Sequence, residues 1–191
     1  MSSSREQILE ATRRLMEAQG YHATGLSQII EESGAPRGSL YYYFPGGKES
    51  LAAEVVRRTG EEVETRIRSV LDRYEDPADG VQQFILRVTE HMAASGYRAG
   101  GPITTVALES ATTSETINAA CQEVYETWRS AFTETLVARG VDAQRASGLS
   151  ALIIAALEGG IVMSRTAHRP EPLVQVAEEI ARSLRAAVRK D

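Results

Sequence analysis

Apolar residues recur every three or four positions along almost the whole chain, and this spacing constrains the fold more than any other feature. It places one face of successive α-helices against a core, whereas no segment shows the alternation and β-branched enrichment typical of strands. Segments rich in proline or glycine interrupt the pattern at residues 45–47, 100–102 and 168–172. The sequence therefore predicts an all-α fold.

The interruptions divide the chain into helices of different lengths. We expect helices at about residues 4–19, 27–34, 37–44 and 48–73, and four or five more beyond them. We place the domain boundary inside the long fourth helix. This gives an N-terminal domain of residues 1–57 and a C-terminal domain of residues 58–191.

The first three predicted helices have the order and spacing of a helix-turn-helix DNA-binding domain. The tight turn at residues 32–36 contains Gly34, and glycine permits the positive φ that a sharp turn often needs. Leu40 and Phe44, four residues apart in the third helix, are expected to face inward. The outer face of that helix would then meet base edges and phosphates. The residues predicted to face DNA there are Arg37, Gly38, Ser39, Tyr41, Tyr42 and Tyr43.

These residue types suit duplex DNA. An arginine such as Arg37 can bond guanine or a phosphate, Gly38 permits close backbone approach, and Ser39 can donate to a phosphate or a base. Four of the eleven aromatic residues lie at positions 41–44, although aromatic residues make up only 6% of the sequence. We expect this cluster to contact DNA. Core packing is the alternative for the tyrosines, and Tyr41 is expected to be half packed.

Three further residues extend the predicted contact surface. Lys48 begins the fourth helix, where its ammonium and the free N–H groups of the first turn suit a phosphate. Thr24 and Ser27, at the start of the second helix, would contact a phosphate of the neighbouring strand, with helix capping as an equal alternative. The net charge of −5 argues against a protein that coats nucleic acid broadly. The first 50 residues carry five basic and six acidic side chains, so their net charge neither supports nor excludes DNA binding. Whether the basic side chains lie on one face is what matters.

Residues 5–56 resemble the DNA-binding domain of the TetR family of repressors. The matching blocks, in order, are Gly20-Tyr21-x-x-Thr24, Ile29-Ile30-Glu31-x-x-Gly34, Gly38-Ser39-Leu40-Tyr41-Tyr42-Tyr43-Phe44 and Lys48-Glu49-x-Leu51. The run from Phe44 to Lys48 and the later Gly101-Pro102-Ile103-x-x-Val106-Ala107-Leu108-Glu109 are similar to the LmrA/YxaF branch of that family. Pro36 departs from the pattern, since many members have serine before the basic residue of the recognition helix.

The resemblance implies a C-terminal helical domain that encloses an effector pocket and forms a dimer through the last two long helices. The residues agree with a dimer. The predicted helix at residues 142–165 is apolar on more than one face, which suggests burial on two sides, and the final helix repeats apolar residues at three- and four-residue spacing. A dimer would hold two recognition helices about 34 Å apart, one turn of DNA, as a palindromic operator requires.

The implied pocket would be lined mainly by residues of the C-terminal domain. The candidates are Ile67, Val70, Tyr74, Phe84, Val88, His91, Met92, Ile103, Val106, Trp128, Phe132, Leu157, Glu158 and Ile161. Plain core packing is the alternative for His91, Met92, Trp128 and Phe132. Glu109 and Glu158 lie in apolar helices, where a buried carboxylate is costly without a partner. Each would hold a polar group of the ligand, pair with an arginine such as Arg87 or Arg165, or face solvent.

Other function classes lack their signatures. No glycine-rich phosphate loop, nucleophile–base pair or metal-ligand spacing is present, so we expect neither an enzyme nor a bound metal or cofactor. The single cysteine, Cys121, is expected to be a core residue and fits a reducing cytoplasm. No uninterrupted apolar run reaches the roughly 18 residues of a membrane span, and the N-terminus lacks a signal core.

We therefore predict a cytoplasmic, homodimeric repressor that binds double-stranded DNA and is released by a small hydrophobic or aromatic ligand. Two alternatives remain open. In the first, the helix-turn-helix serves protein–protein interaction. In the second, the protein regulates transcription through DNA without a small-molecule effector.

Overall fold

The computed structural model of the chain describes residues 3–101 and 103–188. Every regular element in this part of the chain is an α-helix, which confirms the all-α prediction. The helices are α1 (Ser4–Ala23), α2 (Leu26–Ser33), α3 (Arg37–Tyr43), α4 (Gly47–Leu71), α5 (Pro77–Ala94), α6 (Thr104–Ser110), α7 (Glu115–Ala138), α8 (Ala143–Ala167) and α9 (Glu171–Val188).

The described residues form two compact units that are interleaved along the chain. The first unit contains residues up to 61 together with 101–124, and the second contains residues 62–100 together with those from 125 onward. The boundary therefore falls inside α4 and again inside α7. The division of the sequence at residues 57 and 58 stays a prediction, and the sequence did not suggest that residues 101–124 group with the N-terminal helices.

The first unit is built around α1, which packs against α2, α3 and α6. Met16 of α1, Ile29 of α2 and Leu40 of α3 are buried, as the apolar spacing predicts. α1 bends at Gly20, whose φ of 84° lies in the region that only glycine adopts at low cost. The regular helix is therefore interrupted where the sequence predicts its end, after residue 19, and one further helical turn follows to Ala23.

The turn between α2 and α3 follows from local chemistry. Gly34 ends α2 with a φ of 63°, the left-handed conformation typical of a helix C-terminus. Pro36 precedes the first residue of α3 with a φ of −56°, a value that its ring imposes and that suits a helix start. The predicted tight turn is therefore present between the two short helices.

The second unit is built around α9, which packs against both α5 and α8. Gly160 lets α8 and α9 approach closely, because a Cβ at that position would lie 2.6 Å from Leu173 Cδ1. Ser164 of α8 accepts a hydrogen bond from the Leu173 N–H at 3.1 Å, which satisfies one amide at the start of α9. Judged by length and composition alone, α8 could cross a membrane, but its stripe of buried apolar residues packs against α9 as a core helix would.

Candidate nucleic-acid interface

The α3 helix presents its tyrosines to solvent while two apolar side chains fix it to the first unit. Leu40 is fully buried and Phe44, which caps the helix, is 2% exposed. The side chains of Tyr41, Tyr42 and Tyr43 are 53%, 79% and 38% exposed. Core packing therefore does not account for these tyrosines, and their rings are available to a partner.

The rest of α3 keeps a polar surface open at its start. Arg37 and Gly38 are exposed and Ser39 is half-buried. No atom lies within 4 Å of where a Cβ on Gly38 would be, so the backbone there is open to close approach. The rings of Tyr42 and Tyr43 contact each other edge to face, with centroids 5.0 Å apart. This contact restricts their orientation before any partner binds.

Arg5 of α1 secures the end of α3, a contact that the sequence did not reveal. Its guanidinium carbon lies 5.6 Å from the centroid of the Phe44 ring, and its Nη2 pairs with the carboxylate of Glu54 on α4. Arg58 of α4 pairs with Glu6 of α1 at 2.5 Å. These contacts tie α1, α4 and the end of α3 together, although half-exposed ion pairs of this kind are individually weak.

Thr24 and Ser27 lie in different environments. Thr24 is fully buried, and its hydroxyl donates to the Gly20 carbonyl at 2.7 Å, so that group is used inside the protein at the end of α1. Ser27 is exposed in the first turn of α2. The helix begins after Gly25 rather than at Ser27, and the prediction that Ser27 caps it is wrong. Ser27 is thus the one of the two whose hydroxyl faces solvent.

Lys48 lies close to the last turn of α1. Its Nζ is 4.2 Å from the centroid of the Tyr21 ring and 3.4 Å from the His22 carbonyl oxygen. Partial burial lowers the pKa of the Lys48 ammonium, and the Glu109 carboxylate opposes this shift. The cation is therefore held against the protein at the start of α4 rather than freely solvated.

Glu109 of α6 binds the backbone of α1. Its Oε2 accepts hydrogen bonds from the N–H groups of Tyr21 at 2.6 Å and His22 at 3.0 Å. A Cβ on Gly20 would overlap Glu109 Oε1, so the glycine makes room for the carboxylate. The sequence predicted a ligand group, an arginine or solvent as the partner of Glu109, and this was wrong because the partner is main-chain N–H.

The predicted ligand-lining residues divide between the two units. Ile103 and Val106 lie in the first unit, and the other twelve lie in the second. Most are buried, whereas Tyr74, Val88 and Glu158 are half-buried and His91 is exposed. Core packing, one alternative for His91, is therefore wrong. The rings of Phe84 and Phe132 contact edge to face, with centroids 5.9 Å apart, so these two candidates pack together inside the second unit.

Cys121 is buried, as predicted for a core residue. Burial raises the pKa of its thiol to about 11, and the neighbouring Ser110 side chain shifts that pKa in the opposite direction. The neutral thiol therefore prevails at physiological pH, and such a cysteine is unreactive. Among the residues described, no group of three or more histidine, cysteine or acidic residues is arranged to hold a metal ion.

Two family models match the chain. Residues 8–55 match "Bacterial regulatory proteins, tetR family", and residues 77–179 match "Transcriptional regulator LmrA/YxaF-like, C-terminal domain". These matches cover both the α2–α3 region and most of the helices that follow α4.

Whole-chain comparisons agree with these matches. The chain is 42% identical over 177 residues to the uncharacterized HTH-type transcriptional regulator YxaF of Bacillus subtilis, covering 93% of each protein. It is 42% identical over 174 residues to the HTH-type transcriptional regulator LmrA of the same organism, covering 91% of this chain and 93% of LmrA. A TetR transcriptional regulator from Legionella pneumophila has the same fold, with a TM-score of 0.85, 20% identity and coverage of 96% and 98%.

Proposed function

The chain belongs to the TetR family of bacterial transcriptional regulators, and from this membership we propose that it is a dimeric repressor released from a palindromic operator by a small ligand. It is a helix-turn-helix regulator and not an enzyme. The proposal adds the direction of regulation, the dimer and the ligand, which is hydrophobic or aromatic. The protein would act in the cytoplasm, where its operator lies.

The exposure of polar and aromatic side chains on one face of α3 is the main observation that supports contact with DNA. A 79% exposed ring at Tyr42, beside an exposed Arg37, is held in place by the buried Leu40. Exposed aromatic clusters on a rigid element indicate a binding surface. Phenol hydroxyls and a guanidinium suit phosphates and base edges in a major groove. Lys48 adds a positive charge at the start of α4 for a phosphate.

A second copy of the chain would cover one face of α8. Leu152, Val162 and Met163 are 46%, 48% and 59% exposed, and helical periodicity places them on one side of α8 together with Gly148, Ala155 and Gly159. A second apolar face on a helix whose first face already packs on α9 is typical of burial on two sides. Two copies joined there would present two α3 helices to the two half-sites of a palindrome.

Substitution at Val162 tests the dimer. Val162→Glu should give a folded monomer, because it places a charge in the proposed interface. Val137→Glu is the matched control, since Val137 on α7 is exposed to a similar degree, 43% against 48%. Light scattering at equal concentrations measures the mass of each variant. A dimer that survives in Val162→Glu, or a wild-type monomer, would contradict this part of the proposal.

Release by a ligand would follow from a population shift. A ligand that binds better to a state whose recognition helices no longer match the half-site spacing lowers DNA affinity by that difference. Phe84, Trp128 and Phe132 give the second unit an aromatic interior that suits a hydrophobic ligand. α4 carries Lys48 in the first unit and Ile67 in the second, so this helix would transmit the effect of ligand binding to the DNA-binding region.

DNA affinity with and without ligand tests the release. The wild-type protein first selects a duplex from a random library, and compounds that raise its melting temperature are chosen from a hydrophobic and aromatic set. Each is then added at saturation while the Kd for the selected duplex is measured by fluorescence anisotropy. Weaker binding is expected, and unchanged affinity with every such compound would reject release. Absence of duplex binding at low salt would favour the protein–protein alternative.

A further inference from the structure

A polar cluster joins α6 to the last turn of α1. It consists of the Glu109 carboxylate, the N–H groups of Tyr21 and His22, the Gly20 position that makes room for it, and the Lys48 ammonium. We call it the Glu109 cluster. Glu109 and Tyr21 are 88 residues apart in the chain, and all members lie in the first unit.

The bend at Gly20 explains why a carboxylate is needed there. Because the backbone at Gly20 leaves helical geometry, the next N–H groups resemble those at a helix start, which lack partners within the helix. Both bonds go to the same oxygen, Glu109 Oε2. Charged acceptors make short and strong bonds of this kind. Glu109 therefore acts as a cap supplied from a distant helix.

Lys48 rests on the turn that this cap holds. Its ammonium lies over the Tyr21 ring and approaches the His22 carbonyl, so both of its close contacts are to the two residues whose N–H groups Glu109 binds. A lysine side chain has many rotamers in solution, and a fixed surface reduces the entropy lost when it engages a phosphate.

We propose that Glu109 is a positioning residue for DNA binding, which holds the last turn of α1 so that Lys48 is set in place to meet a phosphate. This inference rests on the proposed contact between Lys48 and DNA. Glu109 itself need not touch DNA. Its effect passes through the turn at Tyr21 and His22 to the ammonium.

A series of variants separates this role from mere stability. Glu109→Ala removes the cap, so the turn at Tyr21 and His22 must be ordered again when DNA binds. A cost the size of a lost cap then predicts a Kd about tenfold higher for the selected duplex. Glu109→Gln keeps one amide oxygen able to accept both N–H groups, so its Kd should stay within about threefold of the wild type. Glu115→Gln is the charge control, because Glu115 is exposed in the same unit and outside the cluster.

A double-mutant cycle tests the route through Lys48. In a Lys48→Ala background, Glu109→Ala should change the Kd less than about twofold, because the group that it positions is gone. All Kd values are measured well below the melting temperature of each variant, so that unfolding does not contribute. Glu109→Met, which keeps the volume and loses the acceptor, takes the place of Glu109→Ala if the alanine variant does not fold.

The outcomes distinguish this inference from the proposed function. If the wild type does not bind any duplex, both fail. If the wild type binds but Glu109→Ala binds equally well, or if its effect is fully additive with that of Lys48→Ala, only the positioning role is overturned. A loss in Glu109→Gln as large as in Glu109→Ala would also overturn it, because the rescue depends on the retained oxygen.

Discussion

Leu40 and Tyr42 lie two residues apart on α3 but have opposite exposures, so their alanine variants should separate stability from DNA binding. Leu40 is fully buried, and truncating such a leucine removes its apolar contacts and leaves a cavity. Leu40→Ala should therefore lower the free energy of unfolding by about 2–5 kcal/mol. Tyr42 is 79% exposed and its ring contacts the Tyr43 ring edge to face, so Tyr42→Ala should lower the free energy of unfolding by no more than about 1.5 kcal/mol.

The effect of Tyr42 should appear on DNA instead. A hydrogen bond to a charged group contributes about 1.5–3 kcal/mol, which corresponds to a Kd roughly 10- to 150-fold higher when it is lost. If the hydroxyl donates to a phosphate, Tyr42→Phe should lose most of that amount. If the ring packs on a thymine methyl, Tyr42→Phe should bind nearly as well as the wild type and only Tyr42→Ala should be weak.

Two measurements decide this. Urea unfolding followed by circular dichroism gives the free energy of unfolding, and fluorescence anisotropy with the selected duplex gives the Kd. The reasoning would be refuted if Tyr42→Ala bound DNA as tightly as the wild type, or if it lost as much stability as Leu40→Ala. The first result would mean that Tyr42 makes no energetically important contact with DNA, and the second would mean that its ring supports the fold.

The remaining predictions concern single side chains in the first unit. Arg37→Ala should cost about 1–3 kcal/mol of DNA affinity and relax the base preference at one position, as a comparison of duplexes changed at single positions would show. Lys48→Ala should weaken all duplexes alike and reduce the slope of log Kd against log salt by about one. Gly60→Ala should lower the free energy of unfolding by about 1–3 kcal/mol in a urea titration, because its Cβ would overlap the Val124 side chain. The Cys121 thiol, with its pKa raised from 9.0 to about 11, favours the folded state below pH 9, and that contribution should fall between pH 9 and 11 in unfolding measurements across this range.

Local patterns predicted the helices and α3 well because the forces behind them act within a few residues. Leu40 and Phe44 are four apart and share the inward face, which leaves the tyrosines between them outside. Gly34 stops α2 through its own backbone freedom. Ser27 was misassigned as a cap because serine is a better cap than glycine by propensity, whereas the helix begins one residue earlier, after Gly25.

Contacts between distant segments could not be predicted from such patterns. Glu109 resembles any glutamate in an apolar helix, and nothing near it in the sequence indicates that two amides 88 residues away are its partners. His91 precedes the buried Met92, but successive helical residues point about 100° apart, and this is enough to expose it. Arg5 likewise gave no sign of its position over Phe44.

The interleaving of the two units has a consequence for synthesis on the ribosome. Helices α1, α2 and α3 emerge early, yet their unit includes residues up to 124, so this unit is complete only after α6 and the first part of α7 have been made. Until α6 has been made, the N–H groups of Tyr21 and His22 lack the Glu109 carboxylate that binds them in the complete protein. Stalled or truncated chains that end soon after residue 61 should therefore be more sensitive to protease at the end of α1 than the complete protein, because they contain Tyr21 and His22 but lack Glu109.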